Sequence, residues 1–145
     1  MQINQGINYR ESIVAMLEAE KLPASDLPAT LENFLVVLQN DEVIGVVGLE
    51  IYGDYGLLRS LAVSSAWRGH GIAGKLLDKI VALAHSKGLH HIYLLTETAP
   101  DYFSRKGYKK ITRGDVPVEV QQSSEFSHVC PQSAIVMKKI IISKS

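Results

Sequence analysis

The apolar positions of this chain change their period twice. In YRESIVAMLEAE, residues 9 to 20, Ile13, Met16, Leu17 and Glu20 fall at helical spacing, with two acids near the end, and Pro23 stops the pattern. An amphipathic helix is expected there. The next apolar runs are short: NFLVVLQ, then VIGVVGLEIY, then YGLLRSLAV. Two-residue polar turns, Asn40-Asp41 and Gly53-Asp54, separate them, which reads as an antiparallel meander. After Val63 the period lengthens again. Ile72, Ala73, Leu76, Leu77, Ile80, Val81 and Ala84 lie on one stripe of a helix running from about Gly69 to Lys87, with Lys75, Asp78 and Lys79 on the wet face. Gly88 stands where a left-handed C-terminal residue belongs, and His85 and Lys87 complement the helix dipole. HIYLLT reads as a buried strand, parallel to YGLLRSLAV and reached by a right-handed crossover. A short helix, PDYFSRK, leads to a bend at Gly107-Tyr108. DVPVEVQQ and SSEFSH read as polar helical turns, and SAIVMKKII as a last strand. A meander followed by one βαβ unit predicts an α+β fold with a mixed central sheet, in a single domain over residues 1–145.

Composition narrows the partners. The 145 residues carry fifteen basic and fifteen acidic side chains, so no broad cationic field for nucleic acid or an anionic membrane is expected. The apolar fraction is 46% and the charged fraction 21%, as in an ordinary globular domain. The opening MQINQGINYRES has no apolar core of a signal peptide, and FLVVL and VIGVVGL are far below the ~20 residues of a membrane span. Cys130 is alone, which excludes an intrachain disulfide and fits a reducing, cytoplasmic compartment.

The chemistry concentrates in WRGHGIAGKL, residues 67 to 76, which fits three phosphate-binding patterns. Gly69, Gly71 and Gly74 spell the dinucleotide pattern G-x-G-x-x-G, and Gly69 through Lys75 spell the triphosphate loop G-x-x-x-x-G-K. Arg68, Gly71 and Ala73 spell [RQ]-x-x-G-x-[GA], the pyrophosphate loop of acyl-CoA enzymes. The triphosphate reading lacks its hydroxyl, because Leu76 follows Lys75. The dinucleotide reading lacks its context: SSAWR intervenes after the strand, and an antiparallel meander comes first, although Glu97 lies about twenty residues on, where a ribose-binding acid would sit. The acyl-CoA reading has every element in order. A glycine-rich loop that merely packs a helix on a sheet is the bland alternative.

Other residues stand out of pattern. Glu50 interrupts an apolar strand and could deprotonate an amine, or be an edge carboxylate paired with Arg59. Arg59 inside LLRSLAV needs an ion pair or a substrate anion, whether carboxylate or oxyanion. By strand alternation Ser60 should face away from it. Thr96 and Glu97 end the second parallel strand, where substrates bind in α/β units, while Thr98 and Asp101 would cap the helix PDYFSRK. His85, His90 and His91 do not make a metal site, since the two beside the strand start point oppositely. Cys130 is either a thiophilic contact or a small buried apolar residue. Trp67 packs the loop before the helix.

From LLRSLAV through RGHGIAGKLL and HIYLLT to DYFSRKGY, residues 57 to 108, the chain resembles the GNAT superfamily, the Gcn5-related N-acetyltransferases. The tail VPVEVQQSSEFSHVCPQSAIVMKKI, with GLEIYGDYGLLRSLAV, resembles the N-acetyltransferases of bacterial arsenic-resistance operons. The resemblance implies a GNAT fold with helices on both sheet faces. It also implies acetyl transfer from acetyl-CoA (coenzyme A) to the primary amine of a small molecule, by direct attack in a ternary complex without metal. Leu61, Ala62 and Val63 would pair with pantetheine, and the Leu61 N–H or a neighbouring one would polarise the thioester carbonyl. Arg68, Gly69, His70, Gly71, Ile72, Ala73 and Gly74 would hold the pyrophosphate. The motif F-Y-x-x-x-G-[FY] falls on Tyr102 to Tyr108, which puts Phe103 beside the coenzyme where relatives carry an acidic Tyr. Tyr102, one helical step of about 100° away, is the other candidate donor. Relatives commonly form homodimers through terminal strands. A protein N-terminal acetyltransferase and a catalytically silent acyl-CoA-binding module are the rival readings.

Overall fold

The computed structural model describes residues 1–123, 126 and 134–141. Its strands are β1 (Gln2–Gln5), β2 (Phe34–Gln39), β3 (Glu42–Tyr52), β4 (Tyr55–Val63), β5 (His91–Thr96), β6 (Lys109–Ile111) and β7 (Ile135–Ile140). The helices are α1 (Arg10–Ala19), α2 (Ile72–Ser86), α3 (Pro100–Arg105) and α4 (Val118–Gln121). The strands make one mixed seven-stranded sheet in the order β1-β2-β3-β4-β5-β7-β6. The chain divides into two compact units, one of Met1–Leu49 with Arg59–Leu83, the other of Glu50–Leu58 with the described residues from Ala84 onward. No helix of the described residues is long and apolar enough to cross a membrane.

In the first unit, α1 buries Ile13 and Leu17 against Leu31, Phe34, Val36, Leu38, Val46 and Ala62. The expected two-residue turn between β2 and β3 is present. Asn40 and Asp41 both take left-handed φ, 52° and 64°, as a tight hairpin of this hand demands. Glycine is needed at two places on β3. Gly45 admits Ile72 and Leu76 of α2, whose methyl carbons would stand 3.0 and 3.2 Å from a Cβ there. Gly48 pairs with Phe34 across the β2–β3 ladder, and a Cβ would meet the Phe34 ring at 2.4 Å. The aromatic ring of one strand lies in the space left by the missing side chain of the next.

In the second unit, Gly53 at φ 62° closes the turn from β3 into β4. The parallel ladder between β4 and β5 pairs Tyr55 with His91, Gly56 with Ile92 and Leu57 with Tyr93. The His90 N–H donates to the Asp54 carbonyl at 2.7 Å beside its start. β7 runs antiparallel to β5, and β6 pairs with its other edge. Leu57, Tyr93, Val116, Val120, Phe126 and Val136 form the core, with α4 supplying Val120.

Three elements differ from expectation. β1 pairs antiparallel with β2, although its sequence QINQ is too polar to announce a strand. β6 is only three residues long and draws its stability from β7. α2 begins at Ile72 rather than near Gly69, because Gly69 and Gly71 take φ of 82° and 75°, outside the helical region. Gly88 ends the segment after α2 at φ 75°, as expected. Most of SSEFSH, and Cys130 with it, lies outside the described residues.

Two stability predictions follow from this packing. Gly48→Ala forces the Phe34 ring out of its seat and should cost about 1–3 kcal/mol or more in urea denaturation; an unchanged midpoint would show that the ring relocates freely. Tyr108 is 2% exposed, and its hydroxyl has no hydrogen-bond partner among the described residues, so burial raises its pKa and keeps it neutral. Tyr108→Phe removes an unsatisfied buried group and should stabilise the protein by about 1 kcal/mol. A loss of stability instead would mean that the hydroxyl is satisfied by bound water.

Candidate functional site

The first unit carries the second half of β4, the loop after it and the start of α2. Arg59 is the largest fully buried side chain, and its guanidinium holds Asp26 with both hands: Nη1 to Oδ2 at 2.9 Å and Nη2 to Oδ1 at 2.8 Å. Nη2 also donates to the Pro23 carbonyl at 3.3 Å. Asp26 was not anticipated as its partner, because the two residues are 33 positions apart in a segment with no regular period.

Ser60 corrects the alternation argument. Instead of facing away from Arg59, its Oγ accepts a hydrogen bond from Arg59 Nε at 3.0 Å. The cause is backbone: Ser60 has φ 63°, left-handed in the middle of a strand, which interrupts the two-residue period. Arg59 and Ala62 consequently both face the interior of the first unit, the one on Asp26 and the other in the cluster around α1. Leu61 and Val63 are half-buried.

The Ser64 N–H returns to the Ile44 carbonyl at 2.8 Å, and a single 3₁₀ turn, Ser65–Trp67, leads into the loop. Trp67 stacks at a tilt on His70, ring centres 5.5 Å apart, and His70 Nδ1 donates to the Trp67 carbonyl at 3.0 Å. Arg68 Nε donates to the Val63 carbonyl, and its guanidinium forms an ion pair with Glu20, at the C-terminal cap of α1. Glu20 was read only as part of a helix face. The Arg68 side chain is 56% exposed, so this pair contributes little to stability.

Gly69 and Gly71 are exposed and left-handed, with open space where a Cβ would stand. The Lys75 N–H donates to the Gly71 carbonyl at 3.1 Å, the first turn of α2. Helix geometry therefore leaves the N–H groups of Ile72, Ala73 and Gly74 without an intrahelical acceptor, at the positive end of the helix dipole. Ala73 and Gly74 are half-buried, and Ile72 anchors the turn in the core.

The second unit holds the other candidates. Glu50 accepts a hydrogen bond from the Tyr52 hydroxyl at 2.5 Å, two residues on along β3. Strand alternation puts the two on one face, and the spacing of Glu50 and Tyr52 in GLEIY carries that signal. Thr96 Oγ1 accepts from the Ala99 N–H at 3.1 Å and so closes the turn into α3, the job assigned to Thr98 and Asp101. Glu97 is exposed. On α3, Phe103 is buried edge-on against Tyr108, ring centres 5.6 Å apart, whereas Tyr102 is half-buried. Arg105 and Lys106 lie 6.0 and 5.7 Å from the centre of the Tyr102 ring. His91 stacks on Tyr55, and burial, with Lys138 and His90 nearby, lowers its pKa. Among the described residues no three His, Cys, Asp or Glu side chains gather as a metal site.

Residues 9–111 match the Acetyltransferase (GNAT) family. An amino-acid acetyltransferase of Mycobacterium tuberculosis is 33% identical over 91 residues, 61% of this chain and 48% of that protein. An uncharacterised N-acetyltransferase of Chlorobaculum tepidum is 30% identical over 62% of this chain and 58% of its own length. The chain thus spans about half the length of the curated relatives it matches. Among solved structures, a Mycobacterium tuberculosis protein in complex with CoA and NLQ superposes with a TM-score of 0.79 at 22% identity, covering 98% of this chain and 100% of that one. The N-acetylglutamate synthase of Neisseria gonorrhoeae, complexed with coenzyme A and N-acetyl-glutamate, superposes with a TM-score of 0.80 at 16% identity, over 98% of this chain and 35% of that one. The match over residues 9–111 takes in well over half of the sequence and the fold agrees with it, so the chain belongs to the acetyltransferase (GNAT) family.

Proposed function

We propose that this protein is an acetyl-CoA-dependent N-acetyltransferase whose acceptor is the primary amine of a small, amino-acid-like molecule. The observation that carries the reading is the Arg68–Gly74 loop. Two exposed left-handed glycines let the backbone approach a ligand closely, and the free N–H groups of Ile72, Ala73 and Gly74 supply donors and positive potential for a pyrophosphate. Arg68, itself exposed to solvent, exchanges its Glu20 partner for phosphate at small cost. His70, braced against Trp67, borders the same loop.

The bound thioester supplies an activated acyl group. Leu61, Ala62 and Val63 align the pantetheine arm along the strand edge, and the Leu61 N–H donates to the carbonyl oxygen as negative charge develops there. Glu50, held by Tyr52, takes the proton of the acceptor ammonium, directly or through water. Phe103 walls the coenzyme and has no proton to give, so the thiolate departs unaided or with a proton from Tyr102. Thr96 and Glu97 border the acceptor. Arg59 orders the segment after α1 through Asp26, which meets the need for an anion beside it. An amino-acid-like acceptor is favoured because relatives carry the name amino-acid acetyltransferase and a similar fold binds N-acetyl-glutamate. The narrower link to arsenic-resistance acetyltransferases rests on the likeness of the tail and of GLEIYGDYGLLRSLAV.

Calorimetric titration of acetyl-CoA into the wild type and Gly71→Glu tests the reading. Micromolar binding is expected in the wild type and none in the variant, whose side chain brings a negative charge into the loop and strains a backbone at φ 75°. Binding of NAD in place of acetyl-CoA would refute the assignment. Acetyl-CoA binding without thiol release against a panel of amino acids would leave a silent acyl-CoA-binding module.

A further inference from the structure

We propose that Asp26, Arg59 and Ser60 form a clamp that holds the kink of β4 and thereby aims the Leu61 N–H, making Asp26 and Ser60 positioning residues. The proposal rests on the reading of Leu61 as the donor to the thioester carbonyl.

Three observations converge on it. A serine at φ 63° inside a strand is strained by about 1–3 kcal/mol and persists only where its surroundings impose it. A buried ion pair such as Arg59–Asp26 adds little stability over apolar side chains of equal size, so stability alone does not explain Arg59. The third observation links the first two. Neighbouring residues of a regular strand point to opposite faces, so Arg59 Nε could not reach Ser60 Oγ unless the backbone between them were kinked. The 3.0 Å hydrogen bond therefore exists only in the kinked form and favours it over the flat one.

Asp26 decides where the guanidinium sits. Its two oxygens fix both terminal nitrogens, and the Pro23 carbonyl adds a third contact from the same loop. With those nitrogens fixed, Nε has one direction left in which to point, and Ser60 Oγ is there. A residue at φ 63° breaks the pleat that keeps successive N–H groups in line with the neighbouring strand, which turns the following N–H out of that line. Leu61 is that following residue, half-buried between the interior-facing Arg59 and Ala62. An interaction 33 residues distant in sequence thus controls the orientation of a single backbone amide.

The clamp is tested without any acceptor amine, by the carbon-13 shift of [1-13C]acetyl-CoA bound to the protein. A carbonyl that accepts the Leu61 N–H moves downfield on binding to the wild type. Asp26→Asn should bind acetyl-CoA but lose most of that displacement, and Asp26→Asn with Ser60→Gly should recover part of it, because glycine adopts positive φ without the clamp. Ser60→Val, which disfavours positive φ and leaves Asp26 untouched, should lose the displacement while keeping the wild-type circular dichroism; it serves if Asp26→Asn fails to fold. A full displacement in Asp26→Asn or in Ser60→Val overturns the clamp. So does a loss in Asp26→Asn that Ser60→Gly does not restore, since the pair would then act only on its own loop. Absence of acetyl-CoA binding to the wild type would instead overturn the coenzyme reading on which the clamp depends.

Discussion

A guanidinium out of contact with water must find a partner for its charge and an acceptor for its protons, and in this protein that requirement organises the middle of β4. Arg59 draws Asp26 and the Pro23 carbonyl to itself, which ties down the segment after α1. It also engages the hydroxyl of its own neighbour, which is reachable only because Ser60 leaves the strand conformation. The charge, the loop and the kink are one arrangement. Flattening the strand would break the Arg59–Ser60 bond, and removing the Asp26 carboxylate would take from a buried charge its bidentate partner.

On either side of that kink the backbone is arranged around missing side chains. Gly45 lets α2 approach β3, so the start of α2 is packed through Ile72 and Leu76. Gly69 and Gly71 then supply left-handed turns that no ordinary residue would adopt cheaply, and their exposed faces leave room beside the first amides of α2. A helix start with unpaired donors would be a liability if buried. Here it stands at an exposed loop, where an anion can satisfy it.

The second unit shows a similar economy with polar groups. Thr96 closes the turn into α3, and Tyr52 directs the Glu50 carboxylate. Tyr108 departs from it, since its hydroxyl is buried with no partner among the described residues. Phe103 and Tyr108 meet edge to face, so the aromatic pair is held by ring packing rather than hydrogen bonding.

Periodicity alone determined where the helices and most strands lie, because whether a face is buried is written into the spacing of apolar residues within a few turns. It also marked the hairpin at Asn40-Asp41 and the glycine-rich approach to α2, since turn chemistry is local. What it could not contain were partnerships between distant segments. Asp26 looks like any loop acid until folding brings it to Arg59, and Glu20 looks like a helix face until it meets Arg68. QINQ has too little apolar pattern to read as a strand until β2 offers it an edge. The Ser60 kink is the sharpest case. Serine has no strong preference for positive φ, so only the tertiary environment around Arg59 could select it, and with it the face to which the rest of β4 turns.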